Sequence, residues 1–415
     1  MTELHIGGAA ASQLVAQYGS PLYVYDQQQL ETNIHSYKKA FKSDRFPTKI
    51  LYASKAFQTV GMMNLVNQYG FGVDVVSAGE LYTALQSDVP VDHIYFHGNN
   101  KSTEELKMAF ESGMQHIVCD NLMELTELSQ LANDYKQPMQ IMFRLNVGIE
   151  AHTHEYIVTT HIDSKFGMAY DSSDFKACLE LLNDSDYLEL EGFHVHIGSQ
   201  IFEMDAWYAA IDKMVSYLND FDQPLALNLG GGFGVRYTED DKPLGIEETM
   251  HLLLRYLDQS LTAADLTIKE LIIEPGRSLV AEAGYTLYEI GYQKQTPNKT
   301  YYFVDGGMAD NIRPSLYQAK YSCDVANKMD AEKTEHVTVA GKYCESGDVL
   351  IQDVALPKVE KGDLLVVYAT GAYGYSMSSN YNRSLTPAVV FVKDGQTTEI
   401  VKRQTYLDLL RNDLK

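Results

Sequence analysis

Between residues 50 and 274 the chain alternates between two textures. Short apolar runs of strand character at 50–52, 72–76, 93–96, 117–119, 140–145, 190–196, 226–229 and 271–274 are separated by runs of helical character at 60–68, 78–86, 103–112, 122–135, 172–182, 205–218 and 247–261. Several of the strand-like runs are apolar on nearly every residue, as expected of strands covered on both faces. Eight strands with helices between them is the count of an α/β chain forming a (β/α)8 TIM barrel; a doubly wound open sheet is the alternative.

After Arg277 the texture changes. Runs at 286–293, 300–304, 336–340, 363–368 and 388–392 are β-branched and aromatic, with turn residues between them, which predicts an all-β C-terminal domain. A short strand at 21–25 precedes the barrel and is expected to join that domain. The expected division is a barrel over 26–278 and a β-domain over 1–25 plus 279–415. The tail at 404–411 reads as a short helix or a mixture of helix and strand, and the polar loop at 239–245 as a surface excursion.

Charge narrows the function. Lys and Arg number 33 against 56 Asp and Glu, a net charge of −23. Such a field repels nucleic acid and anionic membranes, so neither is an expected partner. An anionic ligand must then be held by a local pocket of cations or N–H groups. Cys119, Cys178, Cys323 and Cys344 are widely spaced with no CxxC pair, which disfavours a disulfide scaffold or thiolate zinc site and fits a reducing compartment. No signal-peptide pattern or run of about 18 apolar residues is evident, and the reading is a soluble cytoplasmic protein.

Barrel active sites lie at the C-terminal ends of the strands, and there the sequence is not random. Lys55 follows the first strand in Tyr52-Ala53-Ser54-Lys55-Ala56. A lysine at the end of an inward-pointing strand can be desolvated into a nucleophilic amine; a loop lysine at the surface is the plain alternative. Asp74 lies on the second strand, Arg144 ends the fifth, His194 and His196 the sixth, Gly230, Gly231 and Gly232 follow the seventh, and Glu274 ends the eighth. The glycine run is either a phosphate cradle of backbone N–H groups or a plain turn. It is no P-loop, and Val235 breaks the dinucleotide pattern. His194 and His196 alternate along a strand and could bind zinc with Glu274 or Asp74, but convergent ligands are thin and no metal is expected. Alternatively one histidine lines the wall and the other stacks on a planar ligand. Glu274 pairs with Arg277 or with a ring N–H. Taken together, the amine, the phosphate cradle with Ser199, the stacking histidine and the carboxylate describe a pyridoxal-phosphate pocket.

The motifs carrying these residues resemble those of the fold-type III pyridoxal-phosphate decarboxylases. They are Tyr52-Ala53-Ser54-Lys55-Ala56, Phe71-Gly72-Val73-Asp74 with Ser77-Ala78-Gly79-Glu80, Gly192-Phe193-His194-Val195-His196-Ile197-Gly198-Ser199-Gln200, Leu229-Gly230-Gly231-Gly232-Phe233-Gly234 and Glu274-Pro275-Gly276-Arg277. The likeness continues in Asp305-Gly306-Gly307-Met308, Ile312-Arg313-Pro314-Ser315-Leu316-Tyr317, Cys344-Glu345-Ser346-Gly347-Asp348 and Gly371-Ala372-Tyr373-Gly374.

The resemblance implies an alanine-racemase-like barrel plus a β-domain, working as a homodimer with pyridoxal 5'-phosphate. It implies that Lys55 binds the cofactor covalently, that His196 stacks on its ring, and that Glu274 pairs with its ring nitrogen. Ser199, Gly230 to Gly232 and Tyr373 would hold the phosphate, with Asp74 beside the lysine. Cys344 and Glu345 would reach the other subunit's site. Arg277, Arg313 and Tyr317 would meet a substrate's distal carboxylate and Glu345 its distal ammonium, with Tyr373 also among the substrate-binding residues. That pairing suits meso-2,6-diaminopimelate, giving L-lysine and CO2, over ornithine, arginine, carboxynorspermidine or D-amino acids, since ornithine offers Arg313 nothing to hold. The implied catalytic residues are Lys55 and Cys344, either of which could return the proton after CO2 leaves. A non-catalytic relative and a metal-dependent barrel hydrolase are the competing classes.

Overall fold

The computed structural model describes residues 2–149 and 164–414; residues 150–163, inside the range expected of the barrel, lie outside the described residues. Two compact units emerge. One comprises the described residues of Ile34–Gly234 and Pro243–Gly276; the other comprises 2–33, Val235–Lys242 and 277–414.

The first unit is a closed barrel of eight parallel strands: Thr48–Ala53, Gly72–Val75, Ile94–Phe96, His116–Cys119, Met139–Arg144, Leu188–His194, Ala226–Asn228 and Leu271–Ile273. They pair in sequence order, and the eighth closes onto the first. Side chains fill the interior: Leu51, Tyr95, Val118, Met142, Ala226 and Ile272 form one buried cluster drawn from six strands. The barrel is therefore a packed core, and chemistry is confined to its rims.

The rim bearing the strand C-termini is built by helix starts. Thr59, Ser77, Ser102, Asn121 and Ser172 each accept a backbone N–H at the head of the helix that follows. Each satisfies a donor that the helix itself cannot. Ser102 and Glu105 cap reciprocally, so the loop before Thr103–Glu111 is pinned at both backbone ends. Below that loop Lys101 is buried. Its Nζ donates to Glu124 Oε1 at 2.6 Å, to Val118 O at 2.8 Å and to Gly98 O at 2.9 Å. The pair ties the turn after the third strand to the start of the helix after the fourth.

The second unit is a nine-stranded sheet. Its spine runs Val349–Leu356, Glu335–Ala340, Thr300–Val304, Gly284–Gln295, Leu22–Asp26, Ala388–Lys393, Gln396–Val401, with Leu364–Val367 and Cys323–Val325 branching from Gly284–Gln295. The N-terminal strand does join this sheet, antiparallel to Gly284–Gln295 and parallel to Ala388–Lys393. Leu22, Val24, Leu287, Val366, Val390 and Val392 belong to one buried cluster there. The tail resolves as a helix, Tyr406–Leu410, headed by a reciprocal Thr405–Asp408 cap. The segment after the seventh barrel strand, Val235–Lys242, belongs to the sheet unit. Among the described residues no helix is long and apolar enough to cross a membrane.

The Lys101–Glu124 pair sits at 1% and 4% side-chain exposure. Removing one partner strands a buried charge, so Glu124→Ala should lose about 3–5 kcal/mol in urea unfolding, while Lys101→Met with Glu124→Leu should recover most of it.

Candidate active site

Lys55 lies one turn past the first strand, in the 3-10 turn Ser54–Ala56. The turn is anchored by Ser54 Oγ donating to Asp74 O at 2.6 Å, by Tyr52 Oη donating to Phe57 O at 2.7 Å and by Ala53 N–H donating to Pro275 O at 3.2 Å. The lysine side chain is exposed in the single chain, which corrects the expectation of a desolvated amine. Having left the strand, it is no longer enclosed by barrel walls.

Asp74, on the second strand, is 4% exposed, and its Oδ1 has no hydrogen-bond partner. Burial raises its pKa well above the usual range and Glu274 adds to the shift; Lys55 opposes both. It is a buried polar group held ready for a partner.

Glu274 follows the eighth strand and is also buried. Its Oε1 accepts from Asn228 Nδ2 at 2.6 Å and its Oε2 meets His194 Nε2 at 3.2 Å. His97 Nε2 lies 2.8 Å from Oε1, off the line of a hydrogen bond. Of the two alternatives for Glu274, a salt bridge to Arg277 is not formed; these three groups surround the carboxylate instead. Burial alone would push the Glu274 carboxyl up, but His97 and His194 more than offset it and hold it well below the usual carboxylate range. His194 is pushed down to about 4 by burial, against the pull of Glu274. The pair at neutral pH is therefore a carboxylate beside a neutral imidazole that donates its Nε2–H.

His97 and Asn228 were not among the expected site residues. His97 follows the third strand and Asn228 is the last residue of the seventh, so the strand-end rule reaches both. The ligand atoms of His97, His194 and Glu274 lie within 4.8 Å of one another. The one such group among the described residues thus has His97, not His196, beside His194 and Glu274, and no metal is expected there. The sixth strand ends at His194, and His196 beyond it accepts from Gly231 N–H through Nδ1 at 3.3 Å. His196 is part-buried; burial first and Lys55 second lower its pKa well below the usual value, so the ring is neutral.

The glycine turn leaves no room for side chains. A Cβ on Gly231 would come within 2.3 Å of Glu274 O, and Gly232 has φ +108° with Gly198 O 2.5 Å from its Cβ position. Gly230 N–H donates to Asn228 Oδ1 at 2.9 Å, so that donor and the one of Gly231 are engaged within the chain. Ser199 lies part-buried nearby in sequence, at the turn after His196.

The sheet unit carries the remaining residues. Arg277 opens the short helix Arg277–Val280, and Arg313 opens Arg313–Tyr317, which puts Tyr317 one turn on along the same face. Both arginines are buried, at 8% and 5% exposure. Tyr237 Oη accepts from Arg277 Nη1 at 2.6 Å and from Arg313 Nη1 at 3.1 Å, and Arg313 Nη1 also donates to Tyr321 Oη. The ring of Tyr373 lies 4.8 Å from the Arg277 guanidinium and 5.8 Å from that of Arg313. Tyr373 is held at φ +62°, a conformation that costs a non-glycine residue energy.

Cys344 and Glu345 are exposed on a fixed loop. Cys344 N–H donates to Asn382 Oδ1, Gly347 N–H to Glu345 Oε1, and Ser315 Oγ to Gly347 O. The other three cysteines are buried.

These residues suit pyridoxal phosphate: an amine beside an orphaned buried carboxyl, an ionised buried carboxylate, a neutral imidazole and a turn without side chains. Residues 27–281 match the family model for the pyridoxal-binding domain of pyridoxal-dependent decarboxylases. The chain belongs to the pyridoxal-dependent decarboxylases, and it requires pyridoxal phosphate. Within that class it is 46% identical, over 99% of its length and 95% of the relative's, to diaminopimelate decarboxylase of Bacillus subtilis. Its structure is similar to that of diaminopimelate decarboxylase of M. jannaschii in complex with L-lysine, with TM-score 0.93 and 32% identity over 100% of this chain and 96% of that one. The Helicobacter pylori diaminopimelate decarboxylase complexed with L-lysine gives TM-score 0.87 and 32% identity over 96% and 98% of the two chains.

Above pH 6.5 His194 is neutral folded or unfolded. Between about 6.5 and 4 the unfolded chain takes up a proton that the folded chain refuses, so stability falls as pH drops through that window, by about 3 kcal/mol when fully run. Urea titrations of the cofactor-free chain at pH 5 and 7 should show this loss, reduced in His194→Gln.

Proposed function

We infer that this chain removes CO2 from meso-2,6-diaminopimelate to give L-lysine, the last step of lysine biosynthesis. The observation that carries the reading is the full-length likeness to diaminopimelate decarboxylases. The chemistry the cofactor supplies when bound is an electron sink for the pair left behind as CO2 departs.

We propose the following roles for the chain's own groups. Lys55 anchors the cofactor and gives way to the substrate amine. Glu274 keeps a proton on the ring nitrogen, since an ionised carboxylate there stabilises the protonated ring, and His97, His194 and Asn228 hold it ionised and in place. His196 lies against the ring, and Asp74 offers its unpartnered oxygen beside Lys55. Ser199, the glycine turn and Tyr373 hold the phosphate. Because Gly230 and Gly231 spend their N–H groups within the chain, their part is to let the anion approach. Arg277, Arg313, Tyr317 and Tyr373 take the distal carboxylate, and Glu345 takes the distal ammonium. Cys344 or Lys55 returns the proton to carbon.

The exposure of Cys344 and Glu345 in the single chain supports a homodimer in which they serve the partner's site. Four free thiols suit a reducing compartment, the cytoplasm.

A substrate panel tests the activity: turnover of ornithine but not meso-diaminopimelate would sink it. Lys55→Ala should abolish the visible absorbance of bound cofactor. Cys344→Ala should keep that absorbance and lose about 10²–10⁴-fold in lysine formation if the thiol is the proton donor. Mixing Lys55→Ala and Cys344→Ala chains should restore activity that neither has alone, because a mixed dimer holds one intact shared site; no recovery argues against sharing.

A further inference from the structure

The arginines at 277 and 313 are organised by phenols. Among the described residues no carboxylate lies within ion-pair distance of Arg313, whose Nη1 instead donates to Tyr237 Oη and Tyr321 Oη. Tyr237 Oη accepts a second N–H from Arg277. The two tyrosines are buried, at 8% and 5% exposure, and their rings meet edge to face with centroids 5.3 Å apart.

The hydrogen inventory of this cluster is one-sided. A phenol oxygen has two acceptor positions and one proton to give. Tyr237 uses both acceptor positions on guanidinium N–H groups. Its own proton, and that of Tyr321, meet no acceptor among the described residues. Guanidinium accepts nothing. Beside Arg277, Arg313 and two phenols thus converge with donors in excess, on a chain whose net charge is −23. Burying such a set is costly unless an acceptor arrives. The acceptor it fits has at least two anionic oxygens in one plane, the geometry that an arginine fork meets in two-point contact.

We propose that Tyr237 and Tyr321 are specificity-determining residues, their O–H groups completing with Arg277 and Arg313 an all-donor site for the distal carboxylate of the substrate. The assignment rests on the reading of the substrate as meso-diaminopimelate. It extends the recognition set beyond the residues visible in the motifs, since Tyr237 lies in the segment after the seventh barrel strand and Tyr321 beyond the helix that carries Arg313. Phenols serve here better than carboxylates. They fix the guanidinium groups without neutralising them, and each adds a donor of its own. An amino acid whose distal end lacks a carboxylate would leave the donors unpaired, which is how a site rejects an analogue.

The test uses the cofactor-loaded enzyme with Tyr237→Phe and Tyr321→Phe. Each removes one hydroxyl and keeps the ring under the guanidinium. We expect KM for meso-diaminopimelate to rise about 10–100-fold, the size of a lost hydrogen bond to a charged group. kcat should stay within about threefold and the visible absorbance of bound cofactor should be unchanged. Inhibition by pimelate, a seven-carbon dicarboxylate without amines, should weaken by a similar factor. A KM within about twofold of wild type in both variants overturns the proposal. So does a loss of kcat and cofactor content with KM unchanged, which marks a structural role. Should Tyr237→Phe not fold, Tyr321→Phe decides alone by the same two criteria. Wild-type enzyme run alongside separates the two levels: no turnover of meso-diaminopimelate by wild type overturns the substrate reading itself, and with it this proposal.

Discussion

A carboxylate buried where strands end must be surrounded by donors or give up its charge. Glu274 keeps its charge, and the groups that permit this come from the ends of the third, sixth and seventh strands as His97, His194 and Asn228. One anion therefore ties four strand ends together. The network runs on from there. Asn228 Oδ1 accepts from Gly230 N–H, Gly230 O accepts from Glu274 N–H, and Gly231 N–H reaches His196. The glycine turn and the ring of His196 are fixed by the same arrangement that fixes the carboxylate. Losing Asn228 or His194 would leave a buried oxygen of Glu274 short of a donor, and losing Asn228 would also free Gly230 N–H.

The acidic balance of the chain raises the opposite difficulty for an anionic ligand. With 56 acidic against 33 basic residues, the long-range field opposes both a phosphate and a dicarboxylate. Attraction has to be local. For the dicarboxylate, Arg277 and Arg313 of the sheet unit are proposed to supply it; they are buried against tyrosines, where each charge counts for more than it would in water. Arg313 shows the balance. Burial works against its protonation, and the Tyr321 and Tyr237 oxygens more than restore it.

Much of this was legible in the sequence. Double-sided burial made several barrel strands apolar on nearly every residue, and the alternation with helices then counted them. The rule that chemistry sits at strand ends selected Lys55, Asp74, His196 and Glu274. The same rule reaches His97, which carries no motif to mark it. Asn228 was hidden because the apolar run reads on to Leu229, one residue past the end of the strand. Tyr237 and Tyr321 gave no local signal at all. Tyr237 meets residues 40 and 76 positions away, and only the fold brings them together. The expected desolvation of Lys55 failed on a detail of one turn, since Ser54–Ala56 leaves the strand before the lysine is reached.

The loop carrying Cys344 and Glu345 combines features that seldom occur together. Exposed loops are ordinarily the mobile parts of a fold. This one is pinned from beneath by Asp348, which is 3% exposed and accepts from Met308 N–H at 2.7 Å and Tyr343 N–H at 2.8 Å. The backbone closes so tightly around that carboxylate that a Cβ on Gly307 or Gly341 would lie 2.3 or 2.2 Å from its oxygens. Ser315, on the helix bearing Arg313 and Tyr317, holds the far side through Gly347 O. A rigid backbone under an exposed thiol and an exposed carboxylate would present both side chains at a fixed position, which is what the proposed sharing of a site between two subunits requires.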